Sequence, residues 1–161
     1  MYTGMRIGEV CALHWDNILL DKQMIIIDKT VVRIKENGKS ITALTTPKTE
    51  HSVRCIPINH QLLSCLNKIE YKQGYVLTGC EKYKDIRTYQ YYFKKVLKDL
   101  NLPSYRFHAM RHTFATKCIQ CEVDVKSLSE ILGHHSVDIT LNRYVHSSFE
   151  IKLNQIGKLI I

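Results

Sequence analysis

Between Ile18 and Ile58 the chain is written in short β-branched runs, while on both sides of that stretch its apolar residues recur at helical spacing. Met24–Asp28 and Thr30–Ile34 are two such runs, and Asn37-Gly38 after them is a hairpin signal. Residues 41–44 and 52–58 read as further strands, separated by a Thr45–Glu50 connector containing Pro47. That connector is expected to be a turn or a mobile tip, with Lys48 projecting from the end of the sheet. The fold class this implies is α+β: a mostly helical chain with a small antiparallel sheet near its N-terminal third.

The flanking segments fill in the helices. Thr3–His14 places Ile7, Val10, Cys11 and Leu13 on one face, with Thr3 as a candidate cap and Trp15–Asn17 as the stop. Asn59 is a candidate cap for a helix over 61–72 that turns Leu62, Leu63, Leu66 and Ile69 inward. A helix over 86–100 carries Tyr89, Tyr92, Phe93, Val96, Leu97 and Leu100, a stripe that reads as core, with base stacking as its alternative. Helices at about 108–121, 125–132, 137–145 and 148–159 complete the chain. With 161 residues, 45% of them hydrophobic, and no repeat or long linker, residues 1–161 are expected to form one domain.

A formal charge of +8 favours a polyanionic partner. Lys94, Lys95 and Lys98 cluster on one segment, where a solvated face is the plain alternative, and Arg106, Arg111, Lys117 and Lys126 lie along another. Six cysteines lack the dense spacing of a secreted disulfide scaffold, and no apolar run approaches the roughly 18 residues that span a membrane. Free thiols in a reducing cytoplasm are expected. Cys118 and Cys121 form a C-x-x-C without a second ligand pair nearby, so no metal is expected and both are read as packing inward.

Three stretches carry the chemistry: TGMRIGE at 3–9, FHAMRHTFAT at 107–116, and LGHHSVDITLNRYVH at 132–146. His108 and Arg111, at i and i+3, share a helix face and can reach one phosphate together. His112 falls about 100° around that helix from Arg111 and reads as a packing or capping residue. Leu132-Gly133-His134 fits a helix C-terminus that leaves His134 at the tip of a turn and His135 exposed. Tyr144 ends a short amphipathic helix whose buried side is expected to be Ile139 and Leu141. A phosphodiester transition state spreads negative charge over oxygens that guanidinium groups fit well. A tyrosine, with a pKa near 10, needs cations and a base around it to act as a nucleophile. Beyond Glu9 and Asp16 there are no paired acids to suit a two-metal nuclease.

In this order the three stretches resemble the catalytic domain of the tyrosine recombinases, or phage-type integrases, from about Thr3 to His146. The resemblance implies that Tyr144 attacks the scissile phosphorus to form a 3′-phosphotyrosyl link, with Arg6 and Arg111 clamping the phosphate. It implies that Lys48 protonates the leaving 5′-oxygen, His108 takes or orients the tyrosine proton, His134 bonds the phosphate, and Glu9 orients the centre. His146 is similar to a frequent family residue with no direct chemistry assigned. No metal, cofactor or ATP is implied. The implied partner is double-stranded DNA, with a monomer in solution, a tetramer on synapsed DNA, and an excision or accessory DNA-bending protein; no membrane is involved, and the setting is the cytoplasm, at the nucleoid. Family members carry further helix, and a core-binding domain, before the first motif; the chain is therefore expected to be a catalytic domain lacking its first helices and that domain. The segment 149–161, with Ile151, Leu153 and Ile156, is either a core helix or one that docks on a neighbouring protomer. Two other readings stand beside this one. Val125–Leu132, Gly133 and Ser136–Tyr144 also resemble a non-enzymatic helix-turn-helix, which explains neither Arg6 nor Lys48, and an inactive relative that only binds DNA is the other.

Overall fold

The structure is a computed structural model that describes residues 2–36, 38–46 and 53–144, together with Leu153, Ile156 and Gly157. It opens with α1, Ile7–Ala12, followed by a 3-10 turn at Trp15–Asn17. Thr3 does not cap α1. The helix starts at Ile7 because Met5 is buried in the core, and the Arg6 backbone N–H is met by the Glu9 carboxylate at 2.7 Å.

The β-rich stretch forms two sheets where the sequence suggested one. Strands β1 (Ile18–Leu19), β2 (Met24–Ile27) and β5 (Arg54–Pro57) make an antiparallel sheet in the order β1-β2-β5. Strands β3 (Thr30–Glu36) and β4 (Lys39–Thr45) make a separate two-stranded ribbon. Glu36 pairs with Lys39, so two residues close the turn, as Asn37-Gly38 predicts. The split has a packing cause: Ile25, Ile27 and Ile56 face a core with Trp15, Ile18 and Leu66, whereas Val31 faces Cys11 and Ala12 of α1. Asn17 holds the corner between β2 and β3, its Nδ2 donating to the Ile26 carbonyl and to Asp28 Oδ1. The ribbon is anchored by α1 lying on β3 and by Tyr83, whose hydroxyl donates to the Thr42 carbonyl at 2.9 Å. Gly8 permits the first of these contacts, because a Cβ there would collide with the Val31 carbonyl oxygen and the Thr30 hydroxyl.

Up to Tyr144 the helices follow the expected order, and the helix expected at about 148–159 lies largely outside the described residues. In α2 (His60–Asn67) the Asn59 side chain accepts from the Leu62 N–H, as the sequence suggests, but the helix stops early and Ile69 is exposed. Helix α3 (Ile86–Asp99) is capped by Asp85. Its stripe is only partly core: Leu97 is buried, whereas Tyr92, Val96 and Leu100 are exposed. Helices α4 (His108–Gln120), α5 (Val125–Leu132) and α6 (Val137–Tyr144) pack together around Ala115, Leu128 and Leu132. Cys118 joins that cluster, but Cys121, at the C-terminal end of α4, is exposed and does not pack inward. In α6 the buried side is also not the expected one. Thr140 is fully buried and Tyr144 packs against the cluster one turn later, which turns Leu141 outward and leaves Ile139 half-buried. Among the described residues no helix is long and apolar enough to cross a membrane.

Leu128 is the side chain on which the three-helix cluster closes. Leu128→Ala should lower the unfolding free energy by about 2–5 kcal/mol in urea titrations, while Leu141→Ala, on the exposed side of α6, should change it by less than about 1 kcal/mol.

Candidate active site

Helix α5 ends at Gly133, whose backbone lies in the left-handed region at φ 65° and ψ 48°. The N–H groups of Gly133 and His134 fold back onto the Glu130 and Ser129 carbonyls, which closes the helix and leaves the next carbonyls pointing outward. Three arginines from three distant parts of the chain converge there. Arg54 Nε donates to the Ile131 carbonyl at 2.7 Å, Arg111 Nη2 to Leu132 at 2.7 Å, and Arg6 Nη2 to Gly133 at 2.8 Å. Arg111 Nη1 also donates to the Gly4 carbonyl at 2.8 Å, tying α4 to the segment that carries Arg6.

Among the described residues Glu9 is the single acid of this cluster. Its carboxylate is gripped end-on by Nη1 and Nη2 of Arg54, at 2.9 and 2.7 Å, and it accepts from Arg6 Nη1 at 3.0 Å. Burial pushes the Glu9 carboxyl up, but the bonds and charge of Arg54, reinforced by Arg6, outweigh it and hold the carboxyl below its ordinary value. Arg111 is 3% exposed, and burial followed by the charge of Arg6 brings it down to about 10, so it is still charged at neutral pH. The Arg6 side chain is 44% exposed. Three guanidinium groups against one carboxylate, two of them buried and one open to solvent, make a site for an anion.

Two groups border it. His134 Nδ1 lies 2.8 Å from the buried Thr140 hydroxyl, and burial, then the fields of Arg111 and Arg6, bring its pKa down to about 4. The imidazole is therefore neutral at pH 7, and its bond to Thr140 fixes the ring. On α4, His108 stacks edge-on against His112 with ring centroids 4.7 Å apart. Burial, then His112 and Arg111, lower the pKa of His108 as well. Tyr144 Oη lies 2.9 Å from His112 Nδ1, and the field of Tyr144 reaches Arg111.

Arg6, Glu9, Arg111 and His134 thus come together around the end of α5, with His108 and Tyr144 beside them. Lys48 and His146 lie outside the described residues. One assignment changes. The residue hydrogen-bonded to the Tyr144 phenol is His112, read from the sequence as a packing or capping residue, which packs against the His108 and Tyr144 rings as well, and His108 sits one turn further back. The i, i+4 spacing of His108 and His112, which sets both on one face of α4, was the available signal. Arg54 was missed too. Its position in the alternation with Ile56 and Ile58 points it inward, although nothing local names Glu9 as its partner.

The family model described as phage integrase family matches residues 1–150. The chain is 33% identical over 184 aligned positions to a XerC-like tyrosine recombinase of Caldanaerobacter subterraneus subsp. tengcongensis, covering 98% of this chain and 46% of that protein. It is 32% identical over 158 positions to the ICEBs1 integrase of Bacillus subtilis, covering 89% and 42%. The chain therefore spans less than half the length of these relatives. Among solved structures it is similar to the Tn1549 transposon integrase in complex with transposon right end DNA, with a TM-score of 0.79 and 26% identity, covering 98% of this chain and 56% of that one.

Arg54→Met leaves Glu9 buried without its two-pronged partner and should cost about 3–5 kcal/mol of stability, with much of the loss recovered in the Arg54→Met, Glu9→Gln double variant. His134 has a second readout. Because its pKa is about 4 in the folded protein against an ordinary 6.5, the unfolded chain binds more protons between those values, and stability falls as pH is lowered through that window. His108 acts with the same sign. In urea midpoints measured from pH 7 to pH 4, His134→Gln should flatten part of this decline.

Proposed function

The chain belongs to the phage integrase family, and from that premise we propose that it is the catalytic domain of a site-specific recombinase that cuts and rejoins DNA through a 3′-phosphotyrosyl intermediate. The observation that carries the reading is the set of guanidinium groups at the end of α5, next to a phenol already held by an imidazole. A phosphodiester brings one negative charge, and its transition state spreads more over the non-bridging oxygens. Planar, fixed, charged donors stabilise that distribution without having to reorganise.

In this reading the Tyr144 oxygen attacks phosphorus and the bond to the 5′-oxygen breaks. Arg111, recessed and locked by two carbonyls, and Arg6, open to solvent, hold the non-bridging oxygens. Neutral His134 donates from the ring nitrogen that Thr140 does not engage, and His108 faces the same phosphate from α4. Lys48 supplies a proton to the leaving 5′-oxygen, a task suited to a flexible amine on a connector. Glu9 keeps Arg6 in place. The phosphotyrosine retains the energy of the broken bond, so rejoining asks for no ATP, and the arginines supply the charge that a metal would otherwise bring.

Double-stranded DNA is the proposed substrate, in keeping with the +8 charge. The relative from Tn1549 is in complex with transposon DNA. The proposed assembly is a monomer alone and a tetramer on synapsed DNA, with a DNA-bending accessory protein assisting excision. A DNA-binding module without catalysis leaves the Arg6–Glu9–Arg54 network without a purpose.

A nicked suicide substrate, from which the 5′-fragment diffuses away, tests the reading. The chain should form a denaturant-stable covalent adduct with the DNA, in EDTA as well as without it. Tyr144→Phe should abolish the adduct while retaining DNA binding, and Arg6→Ala should slow its formation by about 10²–10³-fold. Binding without an adduct in the unaltered chain would overturn it.

A further inference from the structure

We propose that His112 is a catalytic residue of this reaction, the base that receives the Tyr144 proton during cleavage and returns it during rejoining. The inference rests on the recombinase reading above. The contact that carries it joins His112 Nδ1 to Tyr144 Oη at 2.9 Å, a length at which a proton can pass directly between them. The ring centroids are 5.6 Å apart and the planes are inclined at 55°, so the two groups meet through their polar edges. In the productive tautomer the ring proton sits on Nε2, leaving Nδ1 free to accept.

The surroundings divide the work between the two histidines of α4. His108 and Arg111, at i and i+3, share one side of the helix, and His108 feels the nearby arginines. His112 faces α6 and the nucleophile. Its ring meets His108 on its own helix and Tyr144 on α6, Lys117 lines the groove that it borders, and the charges of Arg111 and Arg143 act on the neighbouring His108. As Tyr144 loses its proton, the departing charge is absorbed by the forming oxygen–phosphorus bond and by the arginines, and the imidazolium forms away from the phosphate. The half-buried His112 also borders an open groove of about 380 Å³ lined by Ala109, Thr113, Thr116, Lys117 and Gln120, which connects it to solvent.

The protons balance. In cleavage the Oη–H bond breaks and the proton moves to His112 Nδ1, the Oη–phosphorus bond forms, and the phosphorus–O5′ bond breaks as O5′ takes a proton from Lys48. In rejoining O5′ attacks, Lys48 takes that proton back, and His112 returns its own to the departing phenolate.

The experiment is single-turnover cleavage of the suicide substrate by the full chain and its variants. His112→Ala should slow adduct formation by about 10²–10⁴-fold while leaving the affinity for DNA unchanged. Added imidazole should restore part of the rate, since the groove admits it, and across substituted imidazoles of similar size the restored rate should rise with basicity. His112→Asn, which accepts a hydrogen bond without being a useful base, should stay slow. A substrate with sulfur in place of the bridging 5′-oxygen, whose leaving group needs no proton, should leave the His112→Ala defect in place. Wild-type rates in either variant, a defect that added imidazoles do not relieve, relief independent of their basicity, or relief by the sulfur substrate would each overturn the inference. Absence of an adduct in the unaltered chain would instead overturn the recombinase reading, and this inference with it.

Discussion

The end of α5 is the point on which the rest of the molecule is registered. A helix C-terminus presents carbonyl oxygens without intrahelical partners, and the aligned peptide dipoles make that end partially negative. Here the partners are guanidinium groups from α4, from β5 and from the segment before α1. Each bond joins parts of the chain that are far apart in sequence, so forming the cluster fixes the sheet, α1 and α4 against α5 together. Charges of one sign crowded in this way would repel one another in isolation. The carbonyls, and above all Glu9, make the arrangement stable, and the remaining excess of positive charge faces the opening at Arg6.

This arrangement also explains how different the three arginines are. Arg54 has its full fork taken by Glu9 and Ile131 and is buried, so its role is to hold the carboxylate. Arg111 is buried as well, but its two bonds go to neutral carbonyls, so its charge is not cancelled by a partner. Arg6 is linked to both Glu9 and Gly133 and is still partly open. The three residues differ in burial and in partner, and those differences set what each can offer a ligand.

Much of this was legible in the sequence where the signal is local. The two-residue turn between β3 and β4, the cap at Asn59, the terminating Gly133 and the shared face of His108 and Arg111 are each specified by a few neighbouring residues, and each appears where expected. What was not legible depends on packing between distant segments. The division into two sheets follows from which core Val31 and Ile25 join, and the strands' own composition does not encode that choice. The half-exposed stripe on α3 shows that helical spacing fixes a face but says nothing of what lies opposite it. The same limit hid the inward turn of Thr140 and the partnership of Glu9 with Arg54. His112 is an intermediate case: its spacing from His108 was visible, whereas its meeting with Tyr144 depends on how α6 crosses α4.

Beside the Glu9 carboxylate and the Gly4 carbonyl, the acceptors that the end of α5 brings to the cluster are main-chain oxygens of Ile131, Leu132 and Gly133, which has an evolutionary consequence. Substitution cannot remove a backbone carbonyl. Residues 131 and 132 can drift among apolar types of similar size without touching the polar network, provided the helix still ends at the same residue. Gly133 is less free to drift, since its left-handed backbone favours glycine and a Cβ would press on the Arg54 guanidinium. Selection on this part of the site therefore falls on the donors and on a single glycine, and a lineage can rework much of the surface of α5 while the arginines keep the same three points of attachment.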